Sequence, residues 1–200
     1  MMCVSTKKII LASASPRRKE LLKSLNLDFE AIHSEVEENL EEEAFSSDLI
    51  KKLALEKAMD VKKKVNFPAI IIGADTVVII DNKVFGKPRN SEDAFRMLKN
   101  LNGRTHKVMS AIALVDNQSG KVLVDLVESK VTFKELTDKE IKDYIATGEP
   151  MDKAGAYAIQ GLGSIFIKSI CGCYTNIVGL SVYKLAEMLK EFGISIIGAG

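Results

Sequence analysis

Several stretches of this chain carry side chains whose type and spacing suit chemistry on an anion. Ser13-Ala14-Ser15-Pro16-Arg17-Arg18 places small hydroxyls before a proline and two arginines after it, at a turn from strand to helix. Proline at a first helical position leaves free backbone N–H groups around it, and the positive helix end adds to the two guanidinium forks. The corner suits a phosphate. The plainer reading is an N-cap at Ser15 with solvated arginines, although cations in a first turn oppose the helix dipole unless an anion is bound. Asp75, in Gly73-Ala74-Asp75-Thr76, lies between two apolar runs, where it can hold a divalent cation or act as a general base. An Asp closing a turn after Gly is the alternative, but Asp81-Asn82 already supplies a turn nearby.

Lys57 falls near the middle of an apolar helical stripe with Leu53, Ala54 and Val61, so either its stem snorkels past the core edge or its ammonium meets an anion. Lys87, in Phe85-Gly86-Lys87-Pro88, leaves a hairpin beside the Asp75 strand and can converge on the same pocket. Glu35 to Glu43 contains six glutamates in nine residues, a pattern that is commonly a solvated face. Glu35, Glu37 and Glu38 follow a strand, so one of them could join Asp75 on Mg²⁺; spacing does not choose among them. In the loop from Gly148 to Gly161, small residues permit close approach and the Gln160 amide can read a base edge, while a glycine-rich connector explains the composition equally well.

The rest of the composition narrows the class. Two hundred residues, 46% hydrophobic and 28% charged, suit one continuous soluble domain with a sizeable core. With 28 Lys and Arg against 27 Asp and Glu, a net charge of +1 gives no field for a stable nucleic-acid complex. No window approaches the ~18 apolar residues of a membrane span, and the opening apolar run is too short for a signal peptide, so a cytoplasmic location is expected. Cys3, Cys171 and Cys173 have neither zinc-finger nor CxxC spacing. His33 and His106 offer little for a His-rich metal site or a Ser/His triad, so carboxylates and lysines must carry any catalysis. Neither a Walker A motif nor GxGxxG is present.

The elements that would position these groups alternate between helix and strand. Lys8–Ser13 and Phe29–Ile32 read as strands, with a helix between them that starts at the Ser15-Pro16 turn. A long helix capped among Ser46, Ser47 and Asp48 runs to about Lys64, burying Ile50, Leu53, Ala54, Ala58 and Val61. Ala69–Ile72 and Thr76–Ile80 read as two β-rich runs flanking Gly73-Ala74-Asp75, followed by a turn to Val84 and Phe85. Ser91 caps a helix to Leu101, and Val108–Val115 and Val122–Phe133 form a hairpin across Asn117–Gly120. Thr137-x-x-Glu140 is a capping box, Ser164–Ile170 reads as a strand, and Ser181–Phe192 closes the chain with a helix ended by Gly193. The class is α/β with a mixed sheet.

Taken in order, LASASPRRKELL (11–22), SEVEE (34–38), IGADTVV (72–78), GKP (86–88), the Ala94–His106 segment and GEPMDKAGAYAIQG (148–161) resemble the Maf family of nucleoside triphosphate pyrophosphatases. The resemblance spans nearly the whole chain. It implies an extended mixed sheet flanked by helices, two lobes with a central cleft, and a fold similar to inosine triphosphatase. It further implies cleavage between the α- and β-phosphates with a divalent cation, Mg²⁺ or Mn²⁺. Carried onto this sequence, it implies Asp75 as proton acceptor and Arg17, Thr76 and Gln160 for base choice, in the combination of the dTTP/UTP-cleaving branch. Lys57, Lys87 and Glu38 match positions credited with triphosphate or metal contacts. Ser110 stands where Thr is usual, Ser181 replaces a common Pro, and Cys171-Gly172-Cys173 sits in a normally more polar loop.

The combined expectation is a cation held by Asp75 and Glu38, with Ser13, Arg18, Lys57 and Lys87 on the phosphates and no partner beyond substrate except a possible homodimer. The rival from another class is a non-catalytic nucleotide-sensing or regulatory protein linked to cell division, which would need no cation and release no product. A phosphatase removing only the γ-phosphate is the second enzymatic alternative.

Overall fold

The computed structural model describes residues 7–36 and 46–197. Strands β1 (Lys8–Leu11), β2 (Phe29–Ala31), β3 (Ala69–Ile80), β4 (Lys83–Phe85), β5 (Thr105–Asp116), β6 (Val122–Phe133) and β7 (Ile167–Cys171) form one mixed sheet. Its order is β2-β1-β3-β5-β6-β7, with β4 also on β3. β1 runs parallel to both neighbours because each connection crosses over through a helix, and the other pairs are antiparallel. β3 is apolar along most of both faces because helices cover it on either side.

The pairing of β3 creates the feature that matters for function. β5 lines one of its edges from Ile70 to Ile79. On the other edge β1 covers Ala69–Ile72 and β4 covers Val78–Ile80, which leaves Gly73–Val77 with no strand beside it among the described residues. The sheet is notched there. Successive side chains point to opposite faces, so Asp75 and Thr76 approach the notch from the two sides of the sheet.

Helix α1 (Pro16–Ser24) and α6 (Val182–Lys190) cover one end of one face, where Leu22, Leu185 and Leu189 pack with Ile70, Ile72, Ile112 and Leu114. At the other end of the chain fold, α3 (Ser91–Leu101) and α4 (Asp138–Ala146) bury Leu98, Leu101 and Ile141 with Val78, Ile80 and Phe133. The notch lies between these two lobes. Helix α2 (Ser47–Lys62) fills the opposite face, with Ile50, Ala54, Ala58 and Val61 against Ile71, Val77 and Ile79. The short α5 (Tyr174–Val178) leads into Gly179 at the cleft.

The structure corrects four details of the sequence reading. β3 is a single strand, since Gly73 through Thr76 pair residue for residue with Ala113 through Ser110 and so satisfy their backbone groups without a break. Asn90, not Ser91, caps α3: its Oδ1 accepts the Asp93 amide at 2.8 Å while Asp93 accepts the Arg89 amide. Gly161–Phe166 is a 3₁₀ segment and the strand begins at Ile167, because the Leu162 and Gly163 amides bond the Glu149 carboxylate instead of a neighbouring strand. Helix α5 has no counterpart in the sequence reading, as its YTNIV is rich in β-branched residues.

Candidate active site

A cavity of about 350 Å³ opens in the notch. Gly73 sets how closely α2 approaches the strand beside it. A β-carbon at Gly73 would lie 2.1 Å from the Ala54 carbonyl oxygen and 2.9 Å from the Ala58 nitrogen, so only glycine lets β3 touch α2 this closely. One helical turn from Ala54, Lys57 then reaches Asp75, with Nζ 2.5 Å from Oδ1. Both residues are buried, at 5% and 2% exposure, and both line the cavity. The mid-stripe lysine is explained by its carboxylate partner. In so dry a setting each charge depends on the other, because a buried ion left alone is strongly destabilising.

The strand-to-helix corner forms the adjoining wall. Pro16 opens α1, the Ser15 hydroxyl caps it, and the buried Ser13 hydroxyl accepts the Ser15 amide at 3.2 Å. Arg18 ties three distant segments together. Its Nε donates to Gly179 O at 2.9 Å, one terminal nitrogen to Ser13 Oγ at 3.2 Å and the other to Thr76 Oγ1 at 3.0 Å. Thr76 Oγ1 lies 2.8 Å from Ser110 Oγ, and Ser110 donates onward to the Asn176 carbonyl at 3.0 Å. A polar relay therefore runs from the corner across β3 and β5 to α5. Arg17 and Lys87 also line the cavity, from α1 and from the segment after β4.

Val78, Val108, Tyr157, Ile159, Ile177 and Val178 make the opposite side apolar. The loop carrying Tyr157 is pinned by Gly155, at φ +68, whose amide donates to Gly86 O at 3.0 Å and whose β-carbon would meet Val78 at 2.8 Å. Glu149 organises the next turn. Its carboxylate accepts Tyr144 Oη at 2.9 Å and the Leu162 and Gly163 amides at 3.0 Å each. Burial pushes that carboxyl up, but these hydrogen bonds and Lys153 outweigh it and hold it below the ordinary range. Asp152 lines the cavity mouth; burial raises its carboxyl, and the Lys153 hydrogen bond with the charges of Lys153 and Arg17 brings it below the ordinary value.

The structure thus gathers Ser13, Arg17, Arg18, Lys57, Asp75, Thr76 and Lys87 on one cavity. Gln160 is different: it is exposed and absent from the cavity wall, while its neighbour Ile159 lines it. Glu38 lies outside the described residues. Sequence reasoning missed Glu149, Asp152 and Asn176; the only signal for the first two was a pair of acids in the glycine- and alanine-containing loop from Gly148 to Gly161.

The motifs that meet at this cavity are matched as a set. The Maf-like protein family profile covers residues 8–192. This chain belongs to the Maf-like family. Among its relatives, a protein named dTTP/UTP pyrophosphatase from Desulforamulus reducens is 51% identical over 189 residues, covering 94% of this chain and 98% of the relative. One of the same name from Clostridium perfringens is 47% identical over 193 residues, covering 95% of this chain and all (100%) of the relative. Among solved structures, a nucleoside-triphosphatase / dITP/XTP pyrophosphatase from Mycobacterium abscessus overlaps 96% of this chain and 100% of its own at 18% identity and a TM-score of 0.47. No helix of this Maf-like protein among the described residues is long and apolar enough to cross a membrane.

As chemistry, the Maf-like cavity has two ends. One offers ammonium and guanidinium groups, hydroxyls and the α1 N-terminus around a single deep carboxylate; the other offers aliphatic surface and one aromatic ring. A polyanion with an apolar, planar appendage matches both.

Proposed function

We propose that this Maf-like protein hydrolyses nucleoside triphosphates, dTTP and UTP foremost, to the monophosphate and pyrophosphate. The observation that carries this reading is the buried Lys57–Asp75 pair opening on a cavity that is cationic at one end and apolar at the other. The names of the relatives at about half identity support the same substrates.

In this reading the triphosphate lies along the corner, with Arg18, Lys57 and Lys87 neutralising its oxygens beside Ser13. Arg18 holds the corner, β3 and Gly179 in register, so the charged groups are in place before substrate arrives. Asp75 accepts the proton of a water that attacks the α-phosphorus in line, and pyrophosphate leaves. The Lys57 ammonium fixes the position of the Asp75 carboxylate through Oδ1.

Asp75 is also a hard oxygen donor on the cavity wall, and a small divalent cation commonly takes only one or two carboxylates together with substrate phosphates. Asp75 therefore fits as one ligand of Mg²⁺ or Mn²⁺, with Glu38, proposed from the sequence alone, as the second; no group of three potential ligands gathers among the described residues. When bound, such a cation would neutralise charge on the phosphates and the leaving pyrophosphate. At the other end the base packs on Tyr157 and the aliphatic wall, and Arg17, Thr76 and Gln160 set the choice of pyrimidine. Gln160 reaches the base only if its loop moves inward from the exposed position it occupies. The chain acts as one cytoplasmic domain whose role is to clear nucleotides from the pool.

The test is to incubate the purified protein with each common triphosphate and Mg²⁺ and identify the products. dTTP and UTP should yield monophosphate and pyrophosphate faster than ATP or GTP. Orthophosphate and a diphosphate, or equal rates for all bases, would contradict the reaction or the specificity respectively.

A further inference from the structure

Tyr157 is 5% exposed and gives part of the apolar wall, yet its hydroxyl is directed away from the cavity to a residue that does not line it. That residue is His106 on β5, whose Nε2 lies 2.7 Å from Tyr157 Oη. The two rings meet edge-on, with centroids 5.3 Å apart at 82°, and Phe133 meets both in the same manner, 4.8 Å from Tyr157 and 5.1 Å from His106. The three rings fix one another's planes. His106 Nδ1 is buried with no hydrogen-bond partner among the described residues, so the imidazole makes a single side-chain hydrogen bond, to Tyr157. Desolvating an imidazole for one bond is a poor way to fill a core, since an apolar side chain of similar volume would do so without stranding a nitrogen. The polar group is explained by what it does to Tyr157.

We propose that His106 is a positioning residue for the base end of the cavity: by bonding the Tyr157 hydroxyl it holds the Tyr157 ring as the wall against which a nucleobase packs. The inference rests on the proposed nucleotide function and deepens it. Burial pushes the His106 imidazole down to about 4, so the pair is neutral at neutral pH. Without the bond, the Tyr157 ring is held by packing alone and its buried hydroxyl loses its partner. The base end would then lose shape while the phosphate end, built from other segments, stays as it is.

The experiment compares His106→Met, His106→Gln, Tyr157→Phe and the Met/Phe double variant with the parent protein. KM and kcat for dTTP, the dissociation constant of inorganic tripolyphosphate, and thermal stability are measured for each. Losing one hydrogen bond of ordinary net strength should raise KM for dTTP roughly three- to tenfold in His106→Met and Tyr157→Phe, with kcat little changed. Tripolyphosphate binding should be unaffected. The double variant should be no worse than either single one, because the two residues act as a unit. His106→Gln, which keeps a polar group near the Nε2 position, should restore most of the affinity. An unchanged KM in Tyr157→Phe would overturn the proposal, even if His106→Met failed to fold. So would additive effects, or an equal loss of dTTP and tripolyphosphate affinity, which marks a general structural role. A parent protein that binds tripolyphosphate but neither binds nor cleaves dTTP would instead overturn the proposed function, leaving the two failures distinct.

Discussion

Lys57 Nζ lies 2.5 Å from Asp75 Oδ1 across a helix and a strand that touch only because residue 73 has no side chain. Asp75→Asn keeps the shape and an acceptor for Lys57 but removes the charge and the basicity. We expect a protein that still folds but is destabilised by about 3–5 kcal/mol, because the Lys57 ammonium is left as a buried uncompensated charge, and whose turnover of dTTP falls by about 10²–10⁴, the usual contribution of a positioned acid or base. Circular dichroism and pyrophosphate release measure the two parts separately, and near-parental release would rule Asp75 out as the base.

The same contact makes Gly73 a structural requirement of catalysis. Gly73→Ala puts a methyl 2.1 Å from the Ala54 carbonyl, so α2 must retreat and take Lys57 with it. A loss of at least about 3 kcal/mol is expected, at the upper end of overpacking effects. Gly120→Ala, at a positive φ but with open space around it, should cost only about 1 kcal/mol. Urea unfolding of both variants tests the contrast.

Adjacent arginines should behave differently. Arg18 donates to Ser13, Thr76 and Gly179, so Arg18→Lys, which cannot reproduce the fork, should lower the melting temperature as well as raise KM. Arg17→Lys should leave stability within about 0.5 kcal/mol, as a surface change does, and raise KM for triphosphates. Equal stabilities of the two variants would contradict the strut role given to Arg18.

The contrast between the arginines marks the limit of what the sequence discloses. Lys57 was legible because a charged residue in an apolar stripe violates helical periodicity, and the Ser13–Arg18 corner because proline and capping hydroxyls act locally. The role of Arg18 was not, since its partners Thr76 and Gly179 are 58 and 161 residues away in the chain. Gly73-Ala74-Asp75 looked like an interruption of a strand because the close approach of α2, which demands the glycine, is a tertiary fact. Asn176 sits in a run of residues with strand propensity, yet it is buried and its side chain bonds Val108 O and Ser129 Oγ, a role no local pattern announces. Gln160 was expected to face substrate and is instead exposed on the loop beyond Ile159.

His106 gives a pH signature of stability distinct from that of the carboxylates. Its folded value, about 4, lies below the ordinary 6.5, so between those limits the unfolded chain binds a proton that the folded one refuses. Stability should be fully present above pH 6.5 and fall as pH drops toward 4, by up to about 3 kcal/mol. Asp93 and Asp116, whose carboxyls are held low against the opposing effect of burial by hydrogen bonds and nearby cations, add losses only below about pH 4. Urea midpoints at pH 7.5, 6.0 and 5.0 should decline in the parent and stay flat in His106→Gln; matching slopes would show that another group titrates there.

The most direct test of the account is where oxygen from solvent ends up. Cleavage of dTTP or UTP in ¹⁸O-labelled water should place the label in the nucleoside monophosphate and none in pyrophosphate, as attack at the α-phosphorus requires. Label in pyrophosphate, or in orthophosphate released beside a nucleoside diphosphate, would contradict it.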